Sequence, residues 1–141
     1  RRQEIEIIPE MVAMVLRREA RERKTDLQLM QIGMEQLATY LPEFDTYPAS
    51  INWRNMNERW GSCTTVDRTI RISDRLIGAP NYVLNYIIFH EFIHLKVISH
   101  DQEFKNYLSR FTDRDKAEAF LEGFELGCQG DGLTLSPAIN N

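Results

Sequence analysis

The stretch His90-Glu91-Phe92-Ile93-His94-Leu95-Lys96-Val97-Ile98-Ser99-His100 holds all 3 histidines of the 141-residue chain. It continues an apolar run that begins after Pro80 with Val83, Leu84, Ile87 and Ile88 and goes on through Phe92, Ile93 and Leu95. Apolar positions around most of a helical circumference predict a central, buried helix from Pro80 to about Val97. His90 and His94 are four apart, so such a helix puts them on one face, one turn apart. Two imidazoles so placed can both reach one metal ion at roughly 2.0–2.1 Å. Glu91 falls on the flank of that face, where it reaches a water on the metal and not the metal itself. Polar groups buried on so apolar a helix need partners to offset their desolvation, and a metal is one such partner.

A catalytic zinc takes three protein ligands and keeps a fourth position open for water. His100 follows His94 by six residues, past the expected helix end, and a reversal at Ser99 brings it back as the third ligand. The expected cofactor is therefore Zn2+ on His90, His94 and His100, with Glu91 as the general base that takes the proton of the activated water. The plain alternative is a hydrogen-bonded pair of core histidines beside a surface glutamate, which predicts that no metal binds.

Beyond this stretch, Ser99 and Gln102 read as a capping box that starts a helix through Phe104, Leu108 and Phe111. Asp113 caps a last helix with Ala117, Phe120, Leu121 and Phe124, closing near Gly127. Upstream, the apolar period becomes two. Ile51, Trp53 and Asn55 share one strand face, a second strand runs over Arg59 to Thr64, Val66-Asp67 turns, and Thr69 to Ser73 forms a third strand with Ile70 and Ile72 together. Before the strands, Pro9 opens a helix with the stripe Met11, Val12, Val15 and Leu16, and Asp26 caps another through Leu29, Met30, Met34, Leu37 and Leu41. Pro42 ends that helix, and Gly33 weakens its middle. The sum is an α+β fold: a small, mostly antiparallel three-stranded sheet packed against the histidine-bearing helix and several others. One domain is expected over residues 1–129, with a helical part over 1–47, the sheet and remaining helices over 48–129, and a tail over 130–141.

Apolar residues make up 43% of the chain and charged residues 27%, ordinary values for a globular protein. A net charge of -4 argues against a chain built to neutralise phosphates. The basic run Arg17–Lys24 is the local exception, and a solvated helix face explains it better than nucleic acid does. Cys63 and Cys128 are too few for a disulfide framework. With reduced thiols, no apolar leader and no span, the expected setting is cytoplasmic, with no membrane partner.

Arg59-Trp60-Gly61-Ser62-Cys63, then Ile70-Arg71-Ile72-Ser73-Asp74-Arg75-Leu76, then His90 to Leu95 and His100, together resemble the YgjP-like family of zincin-like metallopeptidases, relatives of the SprT-like proteases. The resemblance covers roughly residues 48–126 and implies a zincin-like fold with zinc on the three histidines. Without it, the segment from Arg59 to Cys63 reads as sheet packing beneath the central helix, with Gly61 allowing a close backbone approach. Cys63 as a fourth metal ligand would turn an open site into a closed structural one.

The resemblance makes a peptide or protein the first expected substrate, received as an added strand on the exposed sheet edge. Arg59, Asn106 and Tyr107 are the candidates for contacting substrate or its developing oxyanion, chosen by proximity in sequence. Three other readings remain open: a metal-dependent nucleotide phosphohydrolase, which lacks a Gly-rich phosphate loop; a SprT-like, DNA-associated protease using Arg17–Lys24; and a zinc-stabilised domain without catalysis.

Overall fold

The computed structural model describes residues 23–130. The helix expected from Pro9, most of Arg17–Lys24 and the tail after Gly130 lie outside those residues.

Helix α1 spans Asp26–Tyr40. Its N-cap is Thr25 and not Asp26: the Gln28 amide donates to Thr25 Oγ1 at 3.1 Å, and the Thr25 amide donates to Gln28 Oε1 at 2.8 Å. That reciprocal pair satisfies two amides, while Asp26 sits in the first turn, where a negative charge suits the helix dipole. The helix passes unbroken through Gly33. A Cβ there would stand 2.0 Å from Phe92 Cζ, so the glycine marks the point where another helix presses in. Leu41, the residue before Pro42, leaves the helical region with φ -134° and ψ 56°.

Strands β1 (Ser50–Arg54), β2 (Gly61–Thr64) and β3 (Thr69–Ser73) form one sheet in the order β1-β3-β2. β2 pairs antiparallel with β3 (Cys63 opposite Ile70), whereas β1 pairs parallel with β3 (Ile51 opposite Ile70). The sheet is thus mixed, and one of its two pairings departs from the mostly antiparallel arrangement expected. The physical reason is that β1 and β2, joined by the connection over residues 55–60, do not pair with each other, and β3 lies between them. The hairpin from β2 to β3 turns through residues 65–68, where Arg68 adopts φ 56°.

Two boundaries also differ from the sequence reading. Asn55 lies beyond β1 and donates to Asp74 Oδ2 at 3.4 Å. Arg59 and Trp60 precede β2, in a loop braced by Arg75. The Arg75 guanidinium donates to the carbonyls of Met56 and Arg59, each at 3.0 Å, and lies 4.0 Å from the Trp60 ring centroid.

A short 3-10 helix (Asp74–Leu76) leads to α2 (Asn81–Ile93), in which every residue from Val83 to Ile93 except Asn85 is buried. Burial on all sides is what its apolar circumference requires. The α-helix stops at Ile93 instead of near Val97, with Pro80 as its N-cap residue. His94 nevertheless keeps helical dihedrals (φ -64°, ψ -16°), which preserves the one-turn relation to His90. The amides of Leu95, Lys96 and Val97 close the end by donating hydrogen bonds back to the carbonyls of Phe92 and Ile93.

Helix α3 spans Gln102–Leu108 and is capped by Asp101, whose Oδ1 accepts from the Phe104 amide at 3.0 Å. The expected Ser99–Gln102 box does not form, because the better acceptor stands one residue before the helix; Ser99 Oγ instead donates to Asp101 Oδ2 at 3.4 Å. Helix α4 runs over Arg114–Gly130, three residues past the closure expected near Gly127. α2 packs against α1, α3, α4, β2 and β3. Layers of helix and sheet around one buried helix make the α+β architecture.

Candidate metal centre

His90 comes from the last turn of α2, His94 is the residue that caps its C-terminus, and His100 comes from the reversal that leads into α3. His90 is 2% exposed, Glu91 1% and His94 6%, so the polar face of α2 is as buried as its apolar one. His94 Nδ1 lies 3.0 Å from the Val97 carbonyl, an acceptor, so this nitrogen carries the proton and Nε2 presents its lone pair. His90 Nδ1 lies 3.3 Å from Glu91 Oε2.

The three imidazoles converge. Their ring centroids are 5.0 Å apart for His90 and His94, 5.3 Å for His90 and His100, and 4.8 Å for His94 and His100. One ligating nitrogen of each lies within 4.8 Å of the others. Nε2 of His94 and Nε2 of His100 lie 3.2 Å apart. A tetrahedral ion with nitrogens at 2.0–2.1 Å requires nitrogen–nitrogen edges of about 3.3–3.4 Å. One edge therefore comes within about 0.2 Å of the length a metal would need. Two imidazole lone pairs do not settle at that distance by themselves; they require a shared proton or a cation between them. The donor set fits a borderline divalent ion.

Glu91 points toward the start of β2. A Cβ on Gly61 would stand 3.0 Å from both Cγ and Oε2 of Glu91 and 3.2 Å from the Arg71 carbonyl. The close backbone approach read from this glycine is thus an approach to the carboxylate. Arg71 donates to Ser62 Oγ at 3.0 Å and also to Thr64 Oγ1, tying β3 to the edge strand beside the site. A cleft of about 110 Å³ opens here, with Arg59, Ser62, Cys63, Glu91, His94 and Ile98 among its walls. Burial, and next the negative charge of Glu91, push the Cys63 thiol up to about 12. Cys63 stays outside the group of converging ligands, and a thiol held protonated is a poor ligand.

Of the residues singled out for substrate contact, the structure places Arg59 on the cleft and leaves Asn106 and Tyr107 off its walls. Asn106 accepts from Gln102 Nε2 at 2.8 Å, and Tyr107 packs edge-on against Phe44 with centroids 5.0 Å apart. A larger hollow of about 390 Å³, between Trp60 and α4, carries Asp115, Glu118 and Glu122 but no histidine. One of these, Glu118, accepts from the Tyr86 hydroxyl at 2.5 Å. The sequence reading gave Phe104 no part in the site, yet its ring centroid lies 4.9, 4.5 and 4.7 Å from those of His90, His94 and His100. Its one signal was position: an aromatic one turn after His100.

Solved structures similar in overall fold include two metallopeptidase zymogens. The metallopeptidase zymogen of Pyrococcus abyssi abylysin aligns with a TM-score of 0.53 at 17% identity, covering 67% of this chain and 89% of that one. The metallopeptidase zymogen of Methanocaldococcus jannaschii jannalysin aligns with a TM-score of 0.53 at 24% identity, covering 78% of this chain and all of that one. The fold is that of the zincin-like metallopeptidases. In sequence, the family described as YgjP-like, metallopeptidase domain, matches residues 2–119. The chain belongs to this YgjP-like family and is a metallopeptidase by that membership. No curated protein matches it in sequence. No helix among the described residues is long and apolar enough to cross a membrane.

Proposed function

We propose that the chain is a zinc-dependent peptidase, with His90, His94 and His100 as the metal ligands and Glu91 as the general base. The observation that carries the reading is the convergence of three imidazole nitrogens within 4.8 Å beside a buried carboxylate on an open cleft. When bound, the ion supplies Lewis acidity to the scissile carbonyl and makes water more acidic. Everything else falls to the chain's own groups. His94 is oriented by the Val97 carbonyl, which fixes its tautomer. Glu91, set by Gly61, takes the proton of the attacking water on a carboxylate oxygen and returns it to the leaving amine. Arg59 stands at the cleft to meet negative charge that develops on the substrate.

Strand β2 ends the sheet order, so one of its edges is not paired within the sheet, and it borders the cleft through Ser62 and Cys63. An extended peptide adding to that edge would present its backbone to Glu91 and the imidazoles. Peptide therefore suits the site better than nucleotide does. Arg59 is the one Lys or Arg side chain among the described cleft walls, and a triphosphate calls for more. The same proposal takes residues 1–129 as one domain.

Metal analysis of protein purified without chelator tests the reading, with His94→Ala and Glu91→Gln alongside. About one zinc per chain is expected in the parent and in Glu91→Gln, and much less in His94→Ala. Peptide hydrolysis is expected to drop at least a thousandfold in both variants. A Glu91→Gln enzyme with parental turnover would remove Glu91 from its role, and a parent that takes up no zinc would end the proposal.

A further inference from the structure

An imidazole's χ2 torsion is broad, so a histidine side chain does not by itself hold its ring plane. Three rings that converge on a point need something to set those planes. Hydrogen bonding accounts for part of it: His94 Nδ1 is tied to the Val97 carbonyl at 3.0 Å, and His90 Nδ1 faces Glu91 Oε2 at 3.3 Å. Phe104 touches all three rings. It meets His90 edge-on with 71° between planes, His94 tilted at 34° and His100 edge-on at 82°, with centroids 4.5–4.9 Å away in every case. Those separations lie at the close end of the range for favourable ring pairs. The Phe104 ring is itself held, being 1% exposed and rooted in the first turn of α3, where its amide is bound by the Asp101 cap.

We infer that Phe104 is a positioning residue for the metal centre: an apolar base on which all three imidazoles rest, with their planes held so that the rings converge. This rests on the metal-centre reading above and adds to it the group that fixes the ring planes. Two consequences follow. First, Phe104 keeps water from one side of the rings, which would strengthen the electrostatics between these three ligands and a bound ion. Second, it joins α3 to the site, so the Asp101 cap acts on the metal through Phe104. A side chain of similar bulk without a flat face would fill the volume and leave the planes freer.

The experiment compares Phe104→Leu with Phe111→Leu in the full chain. Phe111 is a matched control: it is 5% exposed and packs on Phe89, Tyr40 and Tyr86. Zinc affinity is measured by competition with a chromophoric chelator, geometry from the visible absorption of the Co2+-substituted protein, and folding from circular dichroism of both apo proteins. Phe104→Leu is expected to weaken zinc roughly tenfold or more and to alter the cobalt spectrum. Phe111→Leu is expected to lower the thermal midpoint while leaving affinity and spectrum at parental values. A folded Phe104→Leu protein with parental affinity and spectrum overturns the inference, as does an equal loss of affinity in Phe111→Leu. Should Phe104→Leu not fold, Phe104→Met carries the same comparison. A parent that binds no zinc defeats the metal-centre reading instead, which keeps the two failures apart.

Discussion

Glu91 and Phe92 are neighbours on α2, are both buried, and each meets a glycine from another element. Phe92 drives its ring into α1 at Gly33, where a Cβ would overlap it at 2.0 Å; Glu91 lays its carboxylate on β2 at Gly61, where a Cβ would come within 3.0 Å. One contact is apolar and closes the fold, whereas the other is polar and faces the cleft. The same device, a missing side chain that lets a backbone come close, therefore closes the fold on one face of α2 and, in the proposed mechanism, sets the general base on the other. A helix buried on all sides can hold a carboxylate and imidazoles in place because its remaining faces anchor it.

The largest expected effect on stability comes from Gly33→Ala. The ring of Phe92 cannot stay where it is, and overpacking at a fixed backbone contact costs about 3 kcal/mol or more, against roughly 1 kcal/mol gained in helix propensity. Thermal unfolding should show a clear drop, and Phe92→Leu added to Gly33→Ala should restore part of it through coupling at one contact. A Gly33→Ala chain of parental stability would mean that α1 and α2 do not meet this closely.

Gly61→Ala should reverse the pattern. In a strand, alanine is no worse than glycine, but its Cβ would also meet the Arg71 carbonyl at 3.2 Å, so the midpoint should fall less than in Gly33→Ala and bound zinc should remain. The carboxylate, however, must shift by a few tenths of an ångström, and misplacements of this order cost catalysis dearly. We expect peptide hydrolysis to fall between roughly 10-fold and 100-fold, mainly in kcat. Unchanged kcat would show that Glu91 has slack at this position and break the parallel with Gly33.

Sequence spacing carried the histidines well, because one helical turn and a reversal are local geometry. The all-round burial of α2 was legible for the same reason, in its apolar circumference. Gly33 was misread: as a residue it signals a weak helix, and its use appears only when Phe92 arrives from about sixty residues away. The mixed sheet was hidden likewise, since neither the parallel partner of β1 nor the order β1-β3-β2 is written in strand periodicity. Cap positions slipped by one or two residues at Thr25 and Asp101, where several good acceptors lie side by side. Phe104 looked like any core aromatic, since what distinguishes it is the company of three imidazoles.

The smallest expected effect concerns Cys63, two residues along β2 from Gly61. Burial is the main cause of its raised pKa of about 12, the charge of Glu91 is the second, and Arg71 opposes both. The sign is fixed by comparison with the unfolded chain, whose thiol ionises near 9.0. Below that pH the protonated thiol costs neither state anything extra; between 9.0 and about 12 only the unfolded chain gains by ionising, so stability erodes as pH rises. At pH 8 a Cys128→Ser protein stripped of metal should therefore resist iodoacetamide until denaturant is added. Glu91→Gln in that background should speed alkylation of the folded protein only a few-fold, because it removes the second cause and leaves the first. A rate that jumps to the denatured value would mean that the carboxylate, and not the packing of β2 on α2, keeps this thiol silent.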